Sequence, residues 1–197
     1  MIQCKNDYIF YISKDAEAHQ VKSLKNHALF RGHIYRFQLS LRYLEYVNNV
    51  YSRNKKILWM PIIIFHKLRY YSLSKKLNIS IPLNVTGPGL CVVHGNILIN
   101  PKATIGDFVR IMGNVTVGVS SYNSKCPRIG NYVFLGDGSK ILGDVSIVDK
   151  VTIGANSVVT KDITETGVYA GIPAVKVSSK KSGFQYCDKL HELIDSD

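Results

Sequence analysis

Hydrophobic residues recur at every sixth position through the second half of the chain. Counted in steps of six from Val93, eleven of twelve positions carry Val, Ile or Leu, and glycine directly follows five of them. The fourth residue after each leading position is mostly small or β-branched. The leading residues are Val93, Ile99, Ile105, Ile111, Val117, Asn123, Ile129, Leu135, Ile141, Ile147, Ile153 and Val159, and the glycines are Gly106, Gly118, Gly130, Gly136 and Gly154.

A period of six matches neither an α-helix nor a single amphipathic strand. It is typical of a solenoid in which short strands alternate with tight corners, three units making one triangular coil. Residues 93–164 therefore predict about four coils of a parallel β-helix, with the leading side chains stacked inward about 4.8 Å apart. The glycines are expected to give the corners their backbone freedom. Asn123 interrupts the apolar column, so 119–128 are predicted to form a loop that leaves the coil.

The first part of the chain follows a helical pattern instead. Apolar residues three and four apart predict an amphipathic helix over 33–53. Similar but less regular runs predict helices over 57–77 and 7–19. Pro61 is expected to kink or delay the helix over 57–77, because proline has no backbone N–H to donate.

The change of pattern divides the chain into three parts. A connector begins at Asn78, where the helical period ends. Residues 1–86 are expected to form a helical region, and 87–176 the β-helix domain. The polar tail at 177–197 is expected to end in a short helix near 187–194. The predicted fold class is mainly β, with an α-helical region in front of the β-helix.

Positive charge is concentrated in the helical region. Residues 1–86 hold 14 Lys and Arg against 4 Asp and Glu, whereas 87–197 hold 11 against 10. Such a region attracts nucleic acid, an anionic membrane surface or a phosphorylated substrate, or it is simply a solvated helix face. No nucleic-acid-binding motif accompanies the charge, so nucleic acid is not expected as a partner. Tyr and Trp residues lie among the basic ones, a mixture that suits an anionic membrane face or a diphosphate-linked saccharide.

Other features of the sequence indicate the cellular compartment. No apolar run reaches the roughly 20 residues that a membrane span needs. The N-terminus has no continuous apolar core, so a signal peptide is not expected. Cys4, Cys91, Cys126 and Cys187 form no Cys-x-x-Cys pair, which argues against a zinc site and a disulfide framework. The expected location is the cytoplasm, with the basic helices in peripheral contact with the inner face of the membrane.

The glycine-marked repeats resemble a known family. Residues 89–176 are similar, in order and spacing, to the bacterial serine acetyltransferase group of hexapeptide-repeat acyltransferases. The leader Phe-Gln-Leu-Ser-Leu-Arg-Tyr-Leu-Glu-Tyr at 37–46 is similar to relatives in capsular and surface-polysaccharide biosynthesis. The matching segments are Gly-Leu-Cys-Val-Val-His (89–94), Ile-Gly-Asp-Phe-Val (105–109), Gly-Asn-Val-Thr-Val-Gly (113–118), Pro-Arg-Ile-Gly (127–130), Leu-Gly-Asp-Gly-Ser-Lys-Ile-Leu-Gly (135–143), Ile-Gly-Ala-Asn-Ser-Val-Val-Thr-Lys-Asp (153–162) and Ala-Gly-Ile-Pro-Ala (170–174).

The resemblance implies both a fold and an activity. The implied fold is a left-handed parallel β-helix, an exception to the usual right-handed crossover. The implied assembly is a homotrimer with active sites in the clefts between adjacent subunits. The implied activity is O-acetyl transfer with acetyl-CoA as the acyl donor and no metal.

One histidine is the candidate general base. Of six histidines only His94 lies within the repeats, in the slot that glycine takes after other leading residues. An imidazole there is expected to point outward, with Met112 and Gly130 one and two coils along leaving room for a substrate. A hydroxyl that attacks a thioester needs a base that titrates near neutral pH. His94 is therefore predicted to remove the acceptor's proton in a direct transfer, while backbone N–H groups hold the oxyanion.

The resemblance places acetyl-CoA along the later coils. Residues with little or no side chain let a pantetheine arm approach the backbone, although a corner can require glycine for its own reasons. Lys161 matches a lysine that meets the nucleotide phosphates, and 171–174 is expected to cover that end of the coil. Asp137 stands where relatives commonly have alanine. The candidate cofactor-binding residues are Gly118, Gly136, Asp137, Gly138, Ser139, Ala155 and Lys161.

Two departures from the family lie around the acceptor. Serine acetyltransferases have an acidic residue before the catalytic histidine and a second histidine before the Pro-x-Ile-Gly segment, whereas this chain has Val93 and Cys126. No second histidine in the domain could activate Cys126 as a nucleophile. The predicted acceptor is therefore a sugar hydroxyl on a surface polysaccharide or its lipid-linked precursor.

Other functions remain as alternatives to that prediction. Serine O-acetylation for cysteine biosynthesis is the first of them. A non-catalytic β-helix scaffold is the second, although His94, the corner glycines and Lys161 together argue against it. Carbonic anhydrase chemistry on the same scaffold would need three histidine ligands where the domain has one.

Overall fold

The computed structural model describes residues 1–20, 32–54, 56–120 and 125–180. Three helices come first: α1 (Lys5–Ala18), α2 (His33–Asn54) and α3 (Lys56–Leu77). The three predicted helices are therefore confirmed to within two residues at either end. The helix α3 begins before Pro61 and continues through it, so the predicted delay does not occur. The short helix predicted near 187–194 lies outside the described residues.

Short strands follow the helices, most of them two or three residues long. They are β1 (Ile79–Ser80), β2 (Cys91–Val92), β3 (Ile97–Ile99), β4 (Thr104–Ile105), β5 (Arg110–Ile111), β6 (Thr116–Gly118), β7 (Arg128–Ile129), β8 (Phe134–Leu135), β9 (Lys140–Leu142), β10 (Ser146–Ile147), β11 (Val151–Ile153), β12 (Val158–Val159), β13 (Gly167–Ala170) and β14 (Val175–Ser178). Each strand is followed by a corner, as the six-residue period predicted.

Three parallel sheets form the faces of a β-helix. The first face has the order β1-β3-β6-β9-β12, the second β4-β7-β10, and the third β2-β5-β8-β11-β13, with β14 antiparallel on β13. Isolated bridges from Thr86 to Ile105 and from Ile147 to Ile163 extend the second face at both ends. Each face therefore has five rungs, one more than predicted. The connector after Asn78 adds rungs at one end of the β-helix, and β13 adds one at the other end.

The apolar column of the repeat lies inside the coils. The strand register places Ile99 beside Val117 and Ile111 beside Leu135. The ten apolar leading residues from Ile99 onward are all at most 4% exposed. Each such side chain contributes roughly 1.5–3 kcal/mol on burial, so the stacked column contributes much of the stability of the β-helix.

The third coil is longer than the others. Thr116 pairs with Lys140, 24 positions later, whereas Leu98 pairs with Thr116 after 18. The extra six residues lie between β6 and β7, where the sequence predicted a loop at 119–128. Arg128 belongs to β7, so the loop ends one residue earlier than predicted, and Asn123 lies outside the described residues.

The corner glycines have a different role from the one expected. Gly106, Gly130 and Gly136 do not adopt a positive φ angle. A Cβ on Gly136 would lie 2.6 Å from the carbonyl oxygen of Ile153 in the next coil. Their missing side chains therefore permit close contact between coils rather than an unusual backbone angle.

Asparagines take several of the left-handed corner positions. Asn78, Asn96, Asn114 and Asn156 have φ angles between 52° and 59°. Asparagine tolerates this region better than most residues other than glycine. The side-chain amide of Asn78 donates to Asn96 at 2.9 Å, and that of Asn96 donates to Asn114 at 3.2 Å. The result is a ladder of amides along one edge of the β-helix.

A buried arginine joins the helices to the first coil. Arg42 of α2 is fully buried and donates to the Asp15 carboxylate of α1 at 2.8 and 3.2 Å. It also donates to Glu45 at 3.0 Å and to the carbonyl oxygens of Thr86 and Gly87. Although burial opposes it, the two carboxylates raise the pKa of Arg42 above its ordinary value, and burial raises the pKa of Glu45.

The leader motif at 37–46 owes its pattern to this junction. Gln38, Arg42 and Glu45 recur at four and three residues, so they share one face of α2. Gln38 donates to the carbonyl oxygen of Leu90 at 2.6 Å, and Glu45 accepts the Asn84 N–H at 2.7 Å. The polar residues of the motif therefore dock α2 onto the backbone of the first coil.

Candidate active site

His94 lies at a corner where the first coil has one residue too many. Val92 pairs with Ile111, 19 positions later, whereas Leu98 pairs with Thr116 after only 18. The first coil therefore has one more residue between β2 and β3 than the second coil has between β5 and β6. The extra residue lies at the corner that holds His94, and the His94 side chain is exposed there.

The extra residue corrects the sequence prediction at this corner. Val92 is the inward residue, at 1% exposure, whereas Val93 is half-buried beside Phe108. The distance from Val92 to Ile99 is seven residues rather than six. His94 therefore lies in an insertion and not in the ordinary glycine slot, and this break in the period was the signal that could have revealed it.

The neighbours of His94 also differ from those expected. A Cβ built on Gly113 would lie 3.0 Å from the His94 Cβ and 2.7 Å from Asp137 Oδ1. Gly113 and Asp137 are therefore the residues one and two coils along, beside the expected Met112. Gly130 follows β7 on the second face and does not belong to this corner.

The candidate cofactor residues occupy two different edges of the β-helix. The edge between the third and first faces, here called the histidine corner, carries His94 and four of them. The edge between the first and second faces, here called the lysine corner, carries Gly118 at the end of β6 and Lys161 after β12. The four candidates at the histidine corner are Gly136, Asp137, Gly138 and Ala155.

The glycines at these corners are not equivalent. Gly136 must lack a side chain because a Cβ there would clash with Ile153 of the next coil. Gly138 has a φ of 73° and no room for a Cβ beside Asn156. Around Gly118 the nearest atom to an added Cβ, outside its chain neighbours, is 4.0 Å away. The chain itself does not demand glycine there, so Gly118 fits the close approach of another molecule.

Two residues singled out from the sequence point inward. Ser139 is fully buried, and among the described residues its Oγ has no hydrogen-bond partner. Its side chain therefore cannot line a ligand outside the coil. Cys126 is 5% exposed and belongs to the apolar core, which removes it further from any role as a nucleophile.

The remaining candidates are accessible. Asp137, Ala155 and Lys161 are all exposed. The Asp137 carboxylate accepts the side-chain amide of Asn114 at 3.3 and 3.4 Å, which ties it to the asparagine ladder. Within the described parts of the chain, no three His, Cys, Asp or Glu side chains are grouped so as to hold a metal ion. Among the helices described, none is long and apolar enough to cross a membrane.

Comparison with known proteins places these features in a family. Residues 126–161 match the family model described as bacterial transferase hexapeptide (six repeats). A serine acetyltransferase of Helicobacter pylori strain J99 is 33% identical over 128 residues, which cover 59% of this chain and 75% of that protein. One of Synechococcus elongatus is 37% identical over 90 residues, 44% of this chain and 37% of its own length.

The chain spans about half or less of some of these relatives. It covers 55% of a Staphylococcus epidermidis serine acetyltransferase, with 38% identity over 118 residues. Among solved structures, serine acetyltransferase from Brucella abortus strain S19 aligns with a TM-score of 0.69 and 21% identity over 91% of this chain and 71% of that one. A structure of the same protein in complex with coenzyme A aligns with a TM-score of 0.68 and 21% identity, covering 91% of this chain and 70% of that one. These likenesses show the predicted fold, a left-handed parallel β-helix behind N-terminal helices.

Proposed function

The chain belongs to the serine acetyltransferase-like hexapeptide acyltransferases, and from this premise we propose that it transfers acetyl from acetyl-CoA to a hydroxyl oxygen. The observation that carries the proposal is the position of His94. His94 stands on an insertion at the histidine corner, and its side chain is exposed. An accessible histidine suits a general base that works near neutral pH.

The proposed reaction is a direct transfer. His94 takes the proton of the acceptor hydroxyl while its oxygen attacks the thioester carbonyl carbon, and backbone N–H groups hold the resulting oxyanion. The carbon–sulfur bond then breaks, and the proton passes from His94 to the leaving CoA thiolate. Burial of Cys126 supports a route without an acyl-enzyme.

The two corners support a homotrimer as the active form. His94 and Asp137 lie at the histidine corner, while Gly118 and Lys161 lie at the lysine corner, with the first face between them. Within one chain, the first face separates the two sets. A cleft between adjacent subunits would join the histidine corner of one subunit to the lysine corner of the next. Gly118 would then let the pantetheine arm approach, and Lys161 would meet the nucleotide phosphates.

Serine is the acceptor that the relatives favour. The proteins compared above are named serine acetyltransferases, and none of them supports the sugar acceptor expected from the sequence. The leader motif that resembled polysaccharide enzymes has a structural role at the Arg42 junction. The first acceptor to test is therefore serine.

A sugar hydroxyl remains the second candidate because of two residues. Val93 and Cys126 stand where the family has an acidic residue and a second histidine. Val93 is half-buried against an apolar cluster, and Cys126 is in the core. Neither side chain offers a charged group to hold the amino or carboxyl group of serine.

The helix α3 supports peripheral contact with an anionic membrane. Its exposed surface mixes large apolar side chains with basic ones. Between Glu45 and Asp107 the sequence has no acidic residue, so the charge complements anionic lipid and disfavours a second copy of the same face. The large exposed apolar residues are Met60 (45% exposed), Ile62 (40%), Ile64 (49%), Phe65 (61%), Leu68 (65%) and Tyr71 (55%), and the basic ones are Lys67, Arg69, Lys75 and Lys76.

A competition assay tests the proposed function. The protein is incubated with acetyl-CoA, free serine and a surface-polysaccharide precursor, and CoA thiol release and acetylated products are measured, the latter by mass spectrometry. O-acetylserine alone supports the first acceptor, and acetylated saccharide alone supports the second. If thiol release with every acceptor is no faster than in the His94→Ala variant, the result would indicate a non-catalytic scaffold.

A further inference from the structure

His94 and Asp137 face each other across Gly113. The position of a Cβ on Gly113 is 3.0 Å from the His94 Cβ and 2.7 Å from Asp137 Oδ1. The carboxylate oxygen and the His94 Cβ are therefore separated by no more than the sum of these distances. Gly113 has no side chain to separate the two residues.

The hydrogen bonding of Asp137 differs from that of a comparable corner aspartate. Asp149 stands over Gly130 as Asp137 stands over Gly113, since a Cβ on either glycine would clash with the Oδ1 of the aspartate above it. Asp149 accepts the backbone N–H of Asn131 at 2.7 Å. The described contacts of Asp137 are weaker, two amide contacts at 3.3 and 3.4 Å.

Both side chains of the pair are accessible. Asp137 and His94 are both exposed, so solvent and ligand reach both side chains. Val93 lies on the apolar side of the corner and carries no charge. Within the described residues, Asp137 is thus the acidic group that the fold brings to His94.

We infer that Asp137 is a positioning residue for His94, its carboxylate accepting an imidazole N–H. The contact orients the ring toward the acceptor and stabilises the imidazolium that forms when His94 takes the hydroxyl proton. The inference rests on the proposed acetyl transfer. It gives Asp137 a different role from the pantetheine contact expected from the family position. It also supplies an acidic residue from two coils away, because Val93 stands where the family has an acidic residue next to the histidine.

The test compares Asp137→Asn with Asp149→Asn, which changes the matched aspartate at an edge without histidine. We expect Asp137→Asn to lower kcat about tenfold and to move the acidic limb of the kcat/KM profile to lower pH by about one unit. Asp149→Asn should change neither. A raised KM for acetyl-CoA with unchanged kcat in Asp137→Asn would instead show a pantetheine contact and overturn the inference.

A second variant separates the contact from the loss of charge. Gly113→Ala keeps both side chains and places a methyl group between them, and its backbone φ is not in the left-handed region. We expect a loss of kcat similar to that of Asp137→Asn, with the thermal unfolding midpoint reported alongside as a check of folding. Wild-type kcat in folded Gly113→Ala would contradict the inference.

A readout without turnover distinguishes this inference from the proposed function. The His94 ring resonances are assigned with His94→Gln and titrated by NMR in the wild-type protein and in Asp137→Asn. We expect the midpoint of the ring titration to fall by about one pH unit in Asp137→Asn. An unchanged midpoint would contradict the positioning role of Asp137 even if acetyl transfer is observed. A shifted midpoint sustains the contact even if the wild-type protein acetylates no acceptor.

Discussion

The Arg42 junction gives a stability prediction whose size follows from burial. Replacing Arg42 with methionine removes a fully buried guanidinium and leaves the Asp15 and Glu45 carboxylates without their cation. Breaking a buried ion pair in this way costs about 3–5 kcal/mol. With a urea m-value of about 2 kcal/mol/M, the unfolding midpoint should fall by roughly 2 M.

A matched control separates burial from charge. Arg128 bonds Asp144 at 2.8 Å, the same distance as Arg42 to Asp15, but both side chains are largely exposed. Surface pairs contribute little, so Arg128→Met should leave the urea midpoint almost unchanged. Adding Asp15→Asn and Glu45→Gln to Arg42→Met should restore part of the stability, because the uncompensated charges are gone. A fall in Arg42→Met no larger than in Arg128→Met would refute the reasoning.

The stability loss should also depend on pH. Burial raises the pKa of Glu45, and the Arg42 charge counteracts that rise. An acid with a raised folded-state pKa destabilises the folded state as the pH rises above its unfolded value of about 4.3. Removing the Arg42 charge makes this destabilisation larger, because that charge opposes the rise in the pKa of Glu45. The deficit of Arg42→Met relative to wild type, measured by urea unfolding, should therefore be larger at pH 7 than at pH 5, and the opposite trend would contradict the assignment.

Three further predictions concern the site. His94→Ala should still bind CoA in calorimetry but lose on the order of 10²–10⁴ in transfer rate, and activity within a few-fold of wild type would exclude His94 as the base. Lys161→Ala should raise the KM for acetyl-CoA with little change in kcat, and an equal effect on a CoA analogue lacking the nucleotide phosphates would contradict a phosphate contact. Light scattering should give the mass of three chains, because the proposed cleft joins the two corners of adjacent subunits, and a fully active monomer would rule the cleft out.

Much of the fold could be predicted from the period of the sequence. The six-residue repeat determines which side chains stack inward, since a strand and a corner of fixed length return the chain to the same face. The helices could be predicted for a similar reason, because apolar residues three and four apart form one stripe. The connector after Asn78 was misjudged because a single coil shows no repetition within itself. Its place in the β-helix is set by pairing of β1 with β3.

The candidate site could be predicted only in part. His94 stood out as the sole histidine of the repeats. Its neighbours in space depend on the strand register, however, and one inserted residue changes which residues lie opposite each other in adjacent coils. The tertiary structure alone brings Asp137 beside Gly113, because side chains two coils apart meet only after the coils stack. It also turns Ser139 inward and separates Gly118 and Lys161 from the histidine corner. The repeat and the residue types of the site could be read from the sequence, since these depend on local spacing. Which of them share an edge was decided by the tertiary structure, because that depends on the exact length of every coil.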